Sequence, residues 1–151
     1  MFKALIEAGA DVNKADNDGD ALLHRVAEEG HETLVKALID AGANVNETPD
    51  SGFQAGETAL LRAAMLGNAS VVKALIEAGA DVNEAPDFGF QAGETALLRA
   101  AMNGNASVVK ALIEAGGDVM KANNDGVTPL SRADEEGHEA VAQLLRAAGT
   151  T

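Results

Sequence analysis

Apolar residues recur at helical spacing in short stretches that end at glycine. In one such stretch, VVKALI at 71–76, the apolar side chains share one helix face, and Gly79 follows shortly after. The preceding segment TALLRAAML predicts another helix, with Thr58 as its N-cap and Gly67 at its end. The pattern therefore predicts a pair of short helices joined by a glycine turn.

The same helix pair is repeated along the chain. The phrase KALIEAG begins at residues 3, 73 and 110, and KALIDAG begins at residue 36. Aligned in register, the copies divide a single domain, 1–151, into a half repeat, three full repeats and a more polar C-terminal capping repeat: 1–13, 14–46, 47–83, 84–120 and 121–151. Such self-similarity predicts an all-α repeat solenoid, in which each pair stacks on its neighbours.

The two central copies are longer than the first full copy and nearly identical to each other. They have 37 residues each against 33, and they match at 32 of 37 positions. All three copies have 27 residues after their central glycine, so the four additional residues precede that glycine. The loops containing PDSGFQAG and PDFGFQAG are therefore predicted to be extended. Copies this similar indicate either recent duplication or deliberate engineering.

The repeated segment resembles the ankyrin repeat. The family pattern is G-x-T-P-L-H-x-A-A, then G-H, an apolar helix and G-A-D-V-N. The segment GETALLRAA…GN…VVKALIEAGADVN at 56–83 is similar to it, as is the copy that starts at Gly93. The last copy keeps GVTPL at 126–130, and the first keeps His24 and the pair Gly30-His31. The resemblance implies helix–turn–helix units with β-hairpin-like loops and a protein-binding function.

Several repeat positions depart from the family pattern, and Thr-Pro is lost in three copies, at Ala21-Leu22, Thr58-Ala59 and Thr95-Ala96. The family histidine ties neighbouring turns together, but leucine or serine takes its place at Leu61, Leu98 and Ser131. The resemblance therefore implies that this network is weakened or replaced in the central copies. Met120 takes the place of a terminal asparagine, which leaves the geometry of the last hairpin open.

Charge and composition exclude several classes of function. The chain has 24 Asp and Glu against 11 Lys and Arg, a formal net charge of −13, whereas nucleic-acid binding draws on a basic face. No stretch approaches the roughly 18 apolar residues of a membrane span, and no signal-peptide pattern follows Met1. Because cysteine is absent, we expect a cytoplasmic protein of a reducing compartment. From the acidic charge and the lack of a long apolar stretch, we expect no nucleic-acid and no membrane partner.

The residue types that carry catalysis have structural explanations in this sequence. His24 takes the family's structural histidine position, and His31 and His138 take the position that opens the second helix. Ser131, Asp134 and His138 lie close along the chain, but a glycine break separates them and no triad is expected. No phosphate loop, zinc motif or dinucleotide fingerprint is present. We expect no enzymatic activity, no cofactor and no metal.

The resemblance implies partner contacts at the loop tips and on the inner face of the first helices. In the central copies the candidate contacts are Phe53, Gln54, Phe88, Phe90, Gln91, Arg62, Met65, Leu66, Arg99, Met102 and Asn103. Exposed aromatic residues are enriched at interface hot spots, and Phe88 replaces Ser51 of the preceding copy, so it is a contact candidate. The alternative is that Phe53 and Phe90 pack against each other's loops and stiffen them.

One repeat position holds arginine in all four copies: Arg25, Arg62, Arg99 and Arg132. Such a column of arginines can receive the carboxylates of an acidic partner bidentately. The preferred interpretation is that the arginines neutralise nearby carboxylates, including Glu57, Glu94 and the acidic pairs of the first and last copies.

The sequence therefore predicts a monomeric, non-enzymatic module that binds a protein partner. One alternative is an engineered ankyrin scaffold or binder without a natural partner. Another is a structural fragment of a longer array, which self-associates end to end through its half repeat.

Overall fold

Eight α-helices account for half of the residues that the structure, a computed structural model, describes. The described residues are 4, 7–9, 11–17, 19–50, 52, 54–87, 89 and 91–149. The helices are α1 Leu22–Glu28, α2 Glu32–Asp40, α3 Ala59–Leu66, α4 Ala69–Glu77, α5 Ala96–Asn103, α6 Ala106–Glu114, α7 Pro129–Glu136 and α8 Glu139–Gly149. Within the described residues there is no β-strand, and no helix is long and apolar enough to cross a membrane.

Local sequence determines where the helices begin and end. The Thr58 hydroxyl accepts a hydrogen bond from the backbone N–H of Leu61 at 3.2 Å, which caps α3 as predicted. Gly67 then ends α3 with φ +78°, and a Cβ there would lie only 2.9 Å from the Asn105 side chain. Glycine is therefore required both for the left-handed turn and for close stacking on the next helix pair.

The helices form two layers. The first helices of the four pairs, α1, α3, α5 and α7, pack side by side in one layer, and α2, α4, α6 and α8 form the other. Each pair contacts the pairs before and after it. This arrangement confirms the all-α repeat solenoid.

Small and aliphatic side chains fill the space between the layers. Ala63, Ala64, Ala100 and Ala101 are fully buried in α3 and α5, where they allow neighbouring helices to approach closely. Leucines and valines of both layers complete one continuous core. Among the described residues, the core is therefore built from alanine, leucine and valine.

Asparagine side chains connect the turns of successive repeats. The Asn46 amide donates to the Gly79 carbonyl at 3.2 Å, and its oxygen accepts from the Asp81 N–H at 2.8 Å. Asn83 makes the same two bonds one repeat later. Met120 lies at the equivalent position of the third full copy, where its side chain is 69% exposed.

Candidate functional site

A concavity of about 340 Å³ lies where helices α1, α3 and α5 meet the two extended loops. Its lining residues are Glu28, Gln54, Glu57, Arg62, Met65, Leu66, Gln91 and Met102. Six of the predicted contact residues are thus brought together: Gln54, Arg62, Met65, Leu66, Gln91 and Met102. Phe53, Phe88 and Phe90 lie outside the described residues, as do six of the 13 residues of the predicted half repeat.

The walls of the concavity are mainly apolar. Met65 and Met102 are half-buried, while Leu66 is 54% exposed. Among the described residues, Leu66 and Met120 are the large apolar side chains that remain exposed. An exposed leucine next to two methionines offers apolar area that a second molecule can bury.

Polar groups of the next repeat hold this wall in place. The Asn103 amide donates to the Met65 carbonyl at 2.6 Å. The Gln91 amide, on the second extended loop, contacts the Met65 sulfur at 3.8 Å. Both predicted contact residues therefore support the wall while remaining at least partly accessible to solvent.

The arginine column lies largely beneath this surface. Arg62 places its two terminal nitrogens 2.6 and 3.1 Å from the carboxylate of Asp20, which is 42 residues earlier in the chain. Arg99 pairs in the same bidentate way with Glu57, again 42 residues earlier, with one contact at 2.6 Å. Each arginine thus binds the acid of the preceding repeat.

The burial of these two ion pairs distinguishes between the two interpretations of the arginine column, internal neutralisation and contact with an acidic partner. Arg62 and Arg99 are only 3% and 0% exposed, so their charged groups are committed to the protein itself. The two arginines therefore agree with the preferred interpretation, internal neutralisation, rather than with the alternative that they receive the carboxylates of an acidic partner. Arg62 reaches the floor of the concavity, whereas Arg99 is not part of its lining.

At the two ends of the column the arginines are more exposed. Arg25 pairs with Asp16 at 2.7 Å on the surface. Arg132 lies 3.6 Å from Glu135 and 3.9 Å from Glu136. Burial raises the pKa of Glu94, whose carboxylate lies 3.9 Å from the Arg99 Nε. The ion pairs of the column are therefore buried in its centre and more exposed at its ends.

His24 has a structural position away from the concavity. Its Nδ1 accepts from the Ala21 N–H at 3.1 Å, and its Nε2 donates to the Glu47 carbonyl of the next repeat at 2.8 Å. These two bonds require a neutral ring with the proton on Nε2. Burial lowers the pKa of His24, which favours the same neutral form.

Leucine replaces this histidine network in the central copies. Leu61 and Leu98 occupy the same repeat position and are buried. Apolar packing therefore takes over there from the hydrogen bond between turns, as the family resemblance implied. The other two described histidines also contact groups of the protein. His31 Nε2 lies 3.1 Å from the Glu29 carboxylate, and His138 Nε2 lies 3.0 Å from the Met102 carbonyl.

Two lining residues were not among the predicted contacts. Glu28 occupies the repeat position of Met65 and Met102, so the repeat alignment carried the signal that could have identified it. Glu57 lies at the floor because it pairs with Arg99, a contact between different repeats that no local pattern indicates. Among the described residues, no group of three or more His, Asp or Glu is arranged to hold a metal ion.

Comparison with protein-family models finds one family over most of the chain. A model described as ankyrin repeats (3 copies) matches residues 1–86. A second, described as ankyrin repeats (many copies), matches residues 60–113. No curated protein sequence matches the chain at a significant level.

Proposed function

Because the chain belongs to the ankyrin repeat family, whose repeats are generally protein–protein interaction modules, we propose that it binds a protein partner through its concave face. The concave face is the surface formed by α1, α3, α5, α7 and the loops before them, centred on the 340 Å³ concavity. The family is typically non-enzymatic, and the proposed role is binding alone. A cytoplasmic location agrees with a chain free of cysteine.

The exposed apolar wall of the concavity carries this proposal. Leu66 leaves about half of its side chain in water, although the core directly behind it is tightly packed. Complete burial of a leucine side chain contributes about 1.5–3 kcal/mol, so covering this wall offers a partner useful binding energy. The methionines beside it adapt their shape to an inserted side chain.

The extended loops complete the proposed surface. Phe53, Phe88 and Phe90 belong to these loops in the sequence, and Gln54 and Gln91 of the same loops line the concavity. We include the three aromatic residues as contacts on the strength of the sequence. Arg62 and Arg99 support the surface from below, because their guanidinium groups are held by Asp20 and Glu57.

The test compares proteins captured from a cell lysate by the immobilised chain and by two variants. Leu66→Asn introduces the residue that the next copy has at Asn103, so the helix can accommodate it. Met120→Asn is the matched control, because it also replaces an exposed apolar residue by the one found in the neighbouring copy, at Asn83. Circular dichroism establishes that all three proteins are folded.

We expect a specific protein to be retained by the intact chain and by Met120→Asn, and at least about tenfold less by Leu66→Asn, as for an interface anchor. Equal retention by all three proteins would place the binding surface elsewhere. If none retains a specific protein, an engineered scaffold without a natural partner becomes the better explanation, which the near-identity of the central copies favours.

A triple variant, Phe53→Ser, Phe88→Ser and Phe90→Ser, measures the contribution of the loops in the same experiment. Loss of the partner without loss of thermal stability is expected if the aromatic side chains contact it. A large fall in melting temperature with unchanged retention would instead assign them to loop packing.

A further inference from the structure

Exposed carboxylates flank the apolar wall at both ends of the concave face. Met65 and Leu66 occupy two adjacent repeat positions near the end of α3. In the first copy the same two positions hold Glu28 and Glu29, and in the last copy they hold Glu135 and Glu136. The four glutamate side chains are between 41% and 63% exposed. The concave face is therefore acidic, then apolar, then acidic along the solenoid.

Ion pairs cancel this pattern only in part: Arg62 Nη1 lies 3.7 Å from Glu28, and His31 Nε2 lies 3.1 Å from Glu29. From the central glycine to the glycine after the first helix, the first and last copies each have three carboxylates and one arginine, a net charge of −2. The two central copies each have one carboxylate and one arginine in the same segment and are neutral. In the last copy, Asp134 is held by Arg146 at 2.7 Å, while Arg132 faces both Glu135 and Glu136.

From this arrangement we infer that the partner presents an extended segment with basic side chains near both ends and an apolar side chain between them. The inference rests on the proposed function and specifies its partner. Lysine or arginine near each end complements the acidic pairs, which favours association and fixes the position of the segment. The central apolar side chain enters the concavity beside Leu66 and Met102.

Helix spacing sets the length of the segment. Packed helices lie about 8–10 Å apart, so the three steps from α1 to α7 cover about 25–30 Å. An extended chain advances about 3.3 Å per residue, which places the two basic groups about eight or nine residues apart. An acidic segment would meet like charge at both ends, since Arg62 and Arg99 are buried in ion pairs.

Selection from a displayed library of random peptides about 14 residues long tests this inference at low salt. Such a length is sufficient for the proposed spacing. The immobilised targets are the intact chain, Leu66→Asn, and the double variant Glu28→Gln with Glu135→Gln. The matched control is Glu77→Gln with Glu114→Gln, which removes two exposed carboxylates from the second helices α4 and α6.

We expect enriched peptides to have Lys or Arg near both ends and an apolar residue in the middle. Their affinity should fall about tenfold on Leu66→Asn and about three- to tenfold on the concave double variant, and remain unchanged on the control. Higher salt should weaken binding to the intact chain, because the carboxylates of the two acidic pairs, Glu28-Glu29 and Glu135-Glu136, are exposed and therefore screened by salt.

Two other outcomes separate the inference from the proposed function. Enriched peptides without basic residues, which nevertheless lose affinity for Leu66→Asn, would overturn the basic partner and leave concave-face binding in place. No enrichment, or peptides indifferent to Leu66→Asn, would overturn both.

Discussion

At one repeat position, different residues hold neighbouring repeats together through different interactions. His24 connects two repeats through its hydrogen bond to the Glu47 carbonyl, whereas Leu61 and Leu98 fill the equivalent space with apolar atoms. The structural role of His24 was expected from its place in the repeat and is confirmed. The bond to Glu47 could not be predicted from spacing, because it depends on how the following repeat docks.

The buried histidine makes stability dependent on pH. Its pKa lies below the ordinary value of 6.5 when folded, so the unfolded chain binds the proton more readily. The contribution of neutral His24 is complete above about pH 6.5 and is lost as the pH falls through and below that value. Denaturant unfolding of the intact chain at about pH 7.5 and 5.5 should show a lower free energy of unfolding at the acidic pH.

The variant His24→Leu isolates this effect. It introduces the residue found at Leu61 and Leu98, and it cannot bind a proton at this position. We expect its free energy of unfolding to change less between the two pH values than that of the intact chain. An identical change in both proteins would show that other groups cause the pH dependence.

At the scale of helices, buried ion pairs connect the first helices of the two central copies, α3 and α5, to the repeat before each of them. The arginine column is visible in the sequence, where internal neutralisation was the preferred interpretation, and the structure agrees with it for Arg62 and Arg99. Asp20 could not be identified from the sequence as the partner of Arg62, because 42 residues separate them. The pairing depends on how the two repeats pack and on the position of the loop before α1.

Breaking one of these pairs should be costly. Arg99→Met leaves the Glu57 carboxylate buried without its cation, which should lower the free energy of unfolding by about 3–5 kcal/mol. Replacing both residues, as Glu57→Leu with Arg99→Met, should recover most of this loss because neither member of the pair is then left as an unpaired buried charge. Denaturant unfolding of the two variants and the intact chain measures both values.

The matched control is Arg146→Met. Arg146 binds Asp134 at 2.7 Å, but both side chains are exposed. Such a pair contributes about 0–1 kcal/mol, so the variant should unfold almost like the intact chain. Equal losses for Arg99→Met and Arg146→Met would contradict the importance assigned to burial.

At the scale of the whole molecule, two features matter: the net charge, which governs how molecules interact with one another, and the number of repeats in the stack. A net charge of −13 on 151 residues causes molecules to repel one another at low salt. The same excess of carboxylates appears on the concave face, where it flanks the apolar wall. The division into a half repeat, three full repeats and a cap remains a prediction from the sequence.

We expect this repulsion to keep the chain monomeric. Light scattering at low salt should give a mass of 15.4 kDa that does not change with protein concentration. A mass that rises with concentration would favour end-to-end stacking of repeats, the structural alternative to partner binding.

The sequence by itself determined the helices, their order and their stacking. Periodic apolar residues, threonine caps and glycine turns act over a few residues, and repetition extends that local information along the chain. Tertiary structure decided which side chains are available on the concave face. Arg62 and Met65 occupy the same short helix and both line the concavity, yet the Arg62 guanidinium is buried against Asp20 whereas the Met65 side chain is only half-buried. That difference depends on contacts between repeats about 40 residues apart, which local patterns cannot specify.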